Sequence, residues 1–225
     1  MNYNVFLAGG GSSEDSYKLD DVYLSVAGES ILYIPVGLKR TLVGYDECVA
    51  WFEGMVGRHN GNKKILVWIN LKNKGELLRK MDFDSVYLGG ASDTFRLHEL
   101  LYENNFYPAL RRFVDEGGVV YGGSGGANVL GQFIKKDIFL EETSPTKYES
   151  ANLCCGYSIF THLNSENEKL LNKLGYKHVV ALPEKGGVAI DTRSGNFKYL
   201  GEQNGLIING SKKIKMVDGE TINIY

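Results

Sequence analysis

A chain of 225 residues that is 43% hydrophobic and 23% charged has the balance of a globular protein built around a core, which excludes a disordered or fibrous chain. Its 25 Lys and Arg residues are dispersed and offset by 27 Asp and Glu for a net charge of -2, so nucleic-acid binding and polybasic membrane attachment are disfavoured. No apolar run nears the roughly 20 residues of a membrane helix, the N-terminus lacks a signal-peptide pattern, and Cys48, Cys154 and Cys155 lack the spacing of a zinc or redox motif, so a cytoplasmic protein with reduced thiols is expected.

Short apolar runs alternate with segments of helical periodicity, the pattern of a parallel sheet covered by helices. Tyr3 to Ala8 reads as a first strand that ends in Gly9-Gly10-Gly11. From about Ser16 a helix is predicted, with Leu19, Val22, Tyr23 and Val26 on one face. Ser30 to Pro35 is a second strand, Tyr45 to Val56 a second helix, Lys64 to Asn70 a third strand and Gly75 to Lys80 a short helix. Ser85 to Leu88 makes a fourth strand closed by Gly89-Gly90, followed by helical stretches over Asp93 to Tyr102 and Tyr107 to Glu116. Val119 to Tyr121 is the fifth strand. Beyond residue 124 come a short helix, an irregular polar segment from Lys135 to Asn152, and mostly strand signals. Gly187 to Asp191 and Phe197 to Leu200 form a predicted hairpin, and Leu206 to Asn209, Lys213 to Val217 and Thr221 to Tyr225 are further strands joined by Asn-Gly and Asp-Gly turns. No linker or repeat divides the chain. The expectation is one α/β domain over residues 1–225: a mostly parallel sheet with helices on both faces and β-hairpins in the C-terminal third.

The chain holds 28 glycines against 4 prolines, above the ordinary glycine share of about 7%, and three glycine clusters fall at strand ends. In open α/β sheets ligands bind outside the carboxyl ends of the strands. The most informative cluster is Tyr121-Gly122-Gly123-Ser124-Gly125-Gly126-Ala127, where a strand runs into a glycine-flanked serine and then a helix. This fits G-x-S-x-G, a nucleophile elbow. A serine on so sharp a turn needs small neighbours, and the N–H of Gly125, at the positive end of the following helix, is placed to stabilise an oxyanion. The alternative is a tight glycine turn or a phosphate loop without catalysis. A Walker phosphate loop is excluded by the missing Gly-Lys-Ser/Thr, and Gly9-Gly10-Gly11 does not match G-x-G-x-x-G.

A nucleophilic serine needs a base, and there are four histidines. His59 lies in the polar loop Arg58-His59-Asn60-Gly61 and reads as a surface residue; His98 sits between Arg96 and Glu99 on the predicted outer face of a helix; His178 enters a strand. His162 ends the apolar run Tyr157 to Thr161, a strand terminus from which a side chain can face a cleft, and is the candidate base. The acid that orients it must lie within hydrogen-bond reach. Asp137 is the only aspartate between Ser124 and His162, with Glu141, Glu142 and Glu149 as alternatives.

Taken in order, these segments resemble the dipeptidase E family of serine peptidases, which includes alpha-aspartyl dipeptidases and the related cyanophycinases. The resemblance covers most of the chain: Phe6-Leu7-Ala8-Gly9-Gly10-Gly11, Leu32-Tyr33-Ile34-Pro35-Val36, Tyr87-Leu88-Gly89-Gly90 leading to Asp93-Thr94-Phe95, the elbow, Phe160-Thr161-His162, and Pro183-Glu184-Lys185-Gly186. It implies a fold like that of class I glutamine amidotransferases. It also implies a small-peptide hydrolase, with a preference for an N-terminal aspartyl residue and with no metal or cofactor. Ser124 would be the nucleophile, His162 the general base and Asp137 its orienting acid. Gly90 and Gly125 would be the oxyanion donors, and Asp93, Thr94 and Glu184 substrate-binding residues. The chain departs from the family where Gly125-Gly126-Ala127 replaces the usual Ala-Gly-Ala after the serine and where Thr161 replaces a proline. A small-peptide substrate and possible homodimer are expected, with no nucleic-acid or membrane partner. Two other readings stay open: a peptide-binding or regulatory homologue without turnover, and an α/β-hydrolase esterase, for which His162 follows Ser124 too closely.

Overall fold

The computed structural model describes residues 2–38, 45–59, 62–78, 83–136 and 146–225. Its first half consists of strands β1 (Val5–Ala8), β2 (Ser30–Ile34), β3 (Lys64–Val67), β4 (Ser85–Leu88) and β5 (Val119–Gly123), with helices α1 (Tyr17–Val26), α2 (Asp46–Arg58), α3 (Gly75–Leu78), α4 (Thr94–Glu103) and α5 (Phe106–Asp115) between them. Helix α6 (Gly125–Leu130) follows β5. The remainder holds β6 (Phe133–Ile134), β7 (Tyr148–Glu149), β8 (Ser158–Phe160), α7 (Leu170–Leu174), β9 (His178–Ala181), β10 (Gly186–Asp191), β11 (Asn196–Gly201), β12 (Gly205–Asn209), β13 (Lys212–Met216) and β14 (Thr221–Asn223).

The main sheet has eight strands in the order β14-β11-β10-β1-β5-β4-β2-β3. Strands β1, β5, β4, β2 and β3 pair in parallel, and β10, β11 and β14 extend the sheet antiparallel beyond β1. Period-2 alternation sends Val5 and Leu7 to one face and Phe6 and Ala8 to the other. Both sets are buried, because α1 and α2 cover the Phe6 face while α4, α5 and α6 cover the Val5 face. Double coverage explains the near-continuous apolar strands, since parallel sheets have no solvated side. The β10–β11 hairpin anticipated from the turn residues is present.

The Phe6 face is aromatic. Tyr87 stacks on Tyr121 with centroids 4.4 Å apart, Tyr33 stacks on Phe52 at 4.3 Å, and Tyr23 meets Tyr121 edge-on at 4.9 Å. Such pairs add about 0.5–1.5 kcal/mol each beyond the area they bury, so the floor under β4 and β5 is rigid. Beneath it lies Asp20, only 1% exposed, accepting hydrogen bonds from Tyr121 Oη at 2.6 Å and Ser16 Oγ at 2.8 Å. Burial pushes its carboxyl up to about 6 against the hydrogen bonds that pull it down.

A second sheet, β13-β12-β9-β8, holds the segments that reach over the strand ends of the first. Its β8 and β9 run parallel, with Ser158 beside Val179 and Phe160 beside Ala181. Strands β6 and β7 pair with each other and flank the residues 137–145 that lie outside those described.

Candidate active site

Three strand ends of the main sheet and two of the small sheet converge. From β5 the chain turns at Ser124, whose φ of 51° and ψ of -116° lie where a non-glycine residue is strained. The turn holds because Ser124 N donates to Ala8 O at 3.0 Å while Ser124 O accepts from Ala127 N and Asn128 N. The two outer glycines of the motif, Gly122 and Gly126, have no room for a side chain. A Cβ on Gly122 would lie 2.6 Å from Gly126 O, and one on Gly126 would lie 2.4 Å from Leu88 O. The glycine run is therefore the steric condition for the elbow, as the G-x-S-x-G reading requires.

Gly125 and Gly90 flank the serine. An ideal Cβ on Gly90 would sit 3.8 Å from Ser124 Cβ, so the loop after β4 runs alongside the hydroxyl. Gly125 opens α6, where first-turn N–H groups have no carbonyl partner within the helix. The departure at Gly125 also has a steric cause. An alanine there would place its methyl 2.5 Å from Ala91 Cβ and 3.1 Å from Thr94 Oγ1. The loop through Ala91 and Ser92 occupies the space that an alanine side chain would take.

His162 stands two residues beyond β8. Its backbone adopts φ 56° and is tied down by His162 N donating to Gly9 O at 3.0 Å and by Asn167 Nδ2 donating to His162 O at 2.7 Å. The loop after β1 must come close: a Cβ on Gly10, which has φ 125°, would fall 2.2 Å from His162 Cε1. Held this way, His162 Nε2 lies 2.7 Å from Ser124 Oγ. Its other nitrogen, Nδ1, lies 3.0 Å from Glu184 Oε1.

A carboxylate only accepts, so the contact with Glu184 suits the tautomer in which Nδ1–H is the hydrogen-bond donor. The Nε2 lone pair then faces the Ser124 O–H, the arrangement of a nucleophile, a base and an orienting acid. The loop that carries Glu184 is anchored through the next residue: Lys185 pairs with Asp15 at 3.7 Å and with Glu202 at 3.4 Å. Asp15 in turn accepts from Ser12 N and Ser12 Oγ, bonds that hold its carboxyl below the ordinary range.

The sequence reading brought Ser124, His162, Gly90 and Gly125 to one place, and they are together. It placed Glu184 on the substrate side, whereas the carboxylate against His162 Nδ1 belongs to Glu184. Asp137, Glu141 and Glu142 lie outside the described residues, and Glu149 is exposed in β7. The signal for Glu184 lay in the Pro183-Glu184-Lys185-Gly186 segment just past β9. What was missing was the parallel pairing of β8 with β9, which sets the two strand exits side by side. Asp93 caps α4, its Oδ1 accepting from Arg96 N at 2.9 Å, and Thr94 follows it at the cavity wall. Two other histidines depart from the sequence reading. The His59 side chain is 1% exposed, paired with Asp21 and packed on Tyr17. His98 faces inward, its Nδ1 2.9 Å from Tyr107 Oη, because α5 folds back against that side of α4.

Two cavities open onto Ser124 and His162. One, of about 430 Å³, runs toward α1 and α2 between Gly10, Tyr33, Trp51, Tyr87 and Tyr121. The other, of about 470 Å³, runs toward α4 and β8 past Asp93, Thr94, Asn128, Lys135 and Tyr176. Each is of the size of a small-ligand site.

Comparison with known proteins gives the chain a family. The profile of Peptidase family S51 matches residues 5–194. Peptidase E of Pasteurella multocida (strain Pm70) is 24% identical over 220 residues, which cover 92% of this chain and 90% of that protein. The crystal structure of a peptidase from an acI-B1 Actinobacterium superposes with a TM-score of 0.79 at 16% identity, covering 100% of this chain and 98% of the other. A candidate Peptidase E protein from Listeria monocytogenes EGD-e superposes with a TM-score of 0.58 at 17% identity, covering 95% and 97%. The structural likenesses bear on the fold, and the profile match over most of the length bears on descent: the chain belongs to Peptidase family S51.

Proposed function

We propose that this protein is a serine peptidase that cleaves a short peptide through an acyl-enzyme formed at Ser124. The observation that carries the reading is the continuous hydrogen-bonded series Ser124 Oγ, His162 Nε2, His162 Nδ1, Glu184 Oε1, with contacts of 2.7 and 3.0 Å. In this scheme Ser124 Oγ attacks the scissile carbonyl while His162 Nε2 takes its proton. Glu184 holds the ring in the required tautomer and stabilises the imidazolium. The N–H groups of Gly90 and Gly125 stabilise the oxyanion. His162 then gives the proton to the leaving amine, and water, deprotonated by the same nitrogen, releases the acyl group. No metal or cofactor enters these steps.

Cavities of about 430 and 470 Å³ on the two sides of Ser124 suit one residue of a short peptide each. Lys135 on the wall of the second cavity supports the preference for an aspartyl residue that the family resemblance implies. The test is a screen of dipeptides and blocked peptides, Asp-X among them, run beside Ser124→Ala. Hydrolysis that disappears in the variant supports the reading; unchanged hydrolysis in the variant overturns it.

A further inference from the structure

Resting on that reading of Ser124, we infer that the cavity between α1, α2 and the sheet selects an aromatic or bulky apolar side chain flanking the scissile amide, with Trp51 as its specificity-determining residue.

The walls are pre-formed. Tyr33, Tyr87 and Tyr121 are 2%, 4% and 0% exposed, so their rings are locked by packing and present fixed faces to the cavity. Tyr87 is held between Tyr121, stacked at 4.4 Å, and Phe52 at 4.7 Å. Trp51 differs. It lines the same cavity, meets Tyr87 edge-on at 6.5 Å, and is 40% exposed. A large indole left partly in water at the mouth of an apolar cavity gains most from covering by an apolar partner. The cavity also reaches Ser124 and His162 directly, so whatever fills it belongs to the residue being cut or the residue released.

The lining favours a neutral occupant over an acidic one. Glu47 lines the cavity, and Asp20 lies behind the wall, bonded to Tyr121 and Ser16. A substrate carboxylate entering there would lose water and approach the carboxyl groups of Glu47 and Asp20, whereas a neutral ring can lie against the aromatic faces of Tyr33, Trp51, Tyr87 and Tyr121. The acidic residue of an Asp-X peptide is accordingly left to the opposite cavity, where Lys135 stands.

The experiment measures kcat/KM for Ala-Ala, Phe-Ala, Ala-Phe, Asp-Ala, Asp-Phe and Asp-Lys with wild type, Trp51→Ala and Trp51→Phe, alongside fluorophosphonate labelling of each protein. Replacing Ala by Phe at one of the two positions is expected to raise kcat/KM at least tenfold. Trp51→Ala should abolish most of that gain through KM, and Trp51→Phe should keep most of it. The inference is overturned by equal rates for Phe and Ala at both positions, by faster cleavage of Asp-Lys than of Asp-Phe, or by a gain that survives in Trp51→Ala. If Ser124 is labelled and peptides are cut without aromatic preference, the specificity inference alone fails. Absence of labelling in wild type overturns the reading of the site on which it rests.

Discussion

Replacing Asp20 by Asn tests how the buried floor of the site is held. Asp20 is 1% exposed, and its carboxyl titrates at about 6 rather than 3.8, chiefly because burial disfavours its charged form. A group whose pKa is raised by folding contributes most at low pH, and that contribution is lost as pH rises from the unfolded value through the folded one. At about 1.4 kcal/mol per pH unit, ionisable Asp20 weakens the fold by about 0.5 kcal/mol at pH 4 and by about 3 kcal/mol at pH 7.5. Asn is nearly the same shape, can accept from Tyr121 Oη and can donate to Ser16 Oγ, but never ionises. Asp20→Asn is therefore expected to be nearly neutral at pH 4 and stabilising by up to about 3 kcal/mol at pH 7.5. Urea unfolding at the two pH values reads this directly, as a midpoint raised by roughly 1 M at pH 7.5. A variant destabilised equally at both pH values would refute the reasoning, because it would mean that the charged carboxylate holds Tyr121 in place.

Other substitutions probe the chemistry above that floor. Glu184→Gln should lower kcat by roughly 10²-fold, below the ~10⁴-fold of a fully buried acid because water reaches the site; a loss under threefold in peptide hydrolysis would remove Glu184 from the orienting role. Gly10→Ala sets a methyl 2.2 Å from His162 Cε1, and displacing the ring should cut kcat/KM by roughly 10²-fold with circular dichroism unchanged. Activity within threefold of wild type would show that His162 does not depend on that contact. Gly125→Ala, which places its methyl against Ala91, should reduce kcat by roughly 10²-fold, the scale of losing one oxyanion donor; unaltered kcat would show that the donor survives the shift.

Much of this architecture was legible in the residues because strand ends here are marked by glycine. Strands β1 and β4 run apolar and stop at Gly9 and Gly89, while β5 closes on Gly122 and Gly123, and the sterics around Gly122 and Gly126 explain why the last turn must be glycine. Ser124 and His162 were found because each stands at a strand exit. Glu184 stood at one too, but its contact with His162 depends on β8 lying beside β9, a long-range pairing that no local pattern encodes. His98 shows the opposite limit. Between Arg96 and Glu99 it looks solvated, yet α5 folds against it and Tyr107 takes its Nδ1. The aromatic cavity was likewise invisible, because Tyr33, Trp51, Tyr87 and Tyr121 come from four separate elements.

The most direct measurement of the central claim is intact-mass analysis and peptide mapping after reaction with a fluorophosphonate. The account predicts a single adduct, on the peptide carrying Ser124, lost in Ser124→Ala and slowed in His162→Ala. An adduct on another residue, or undiminished labelling of Ser124→Ala, would contradict it.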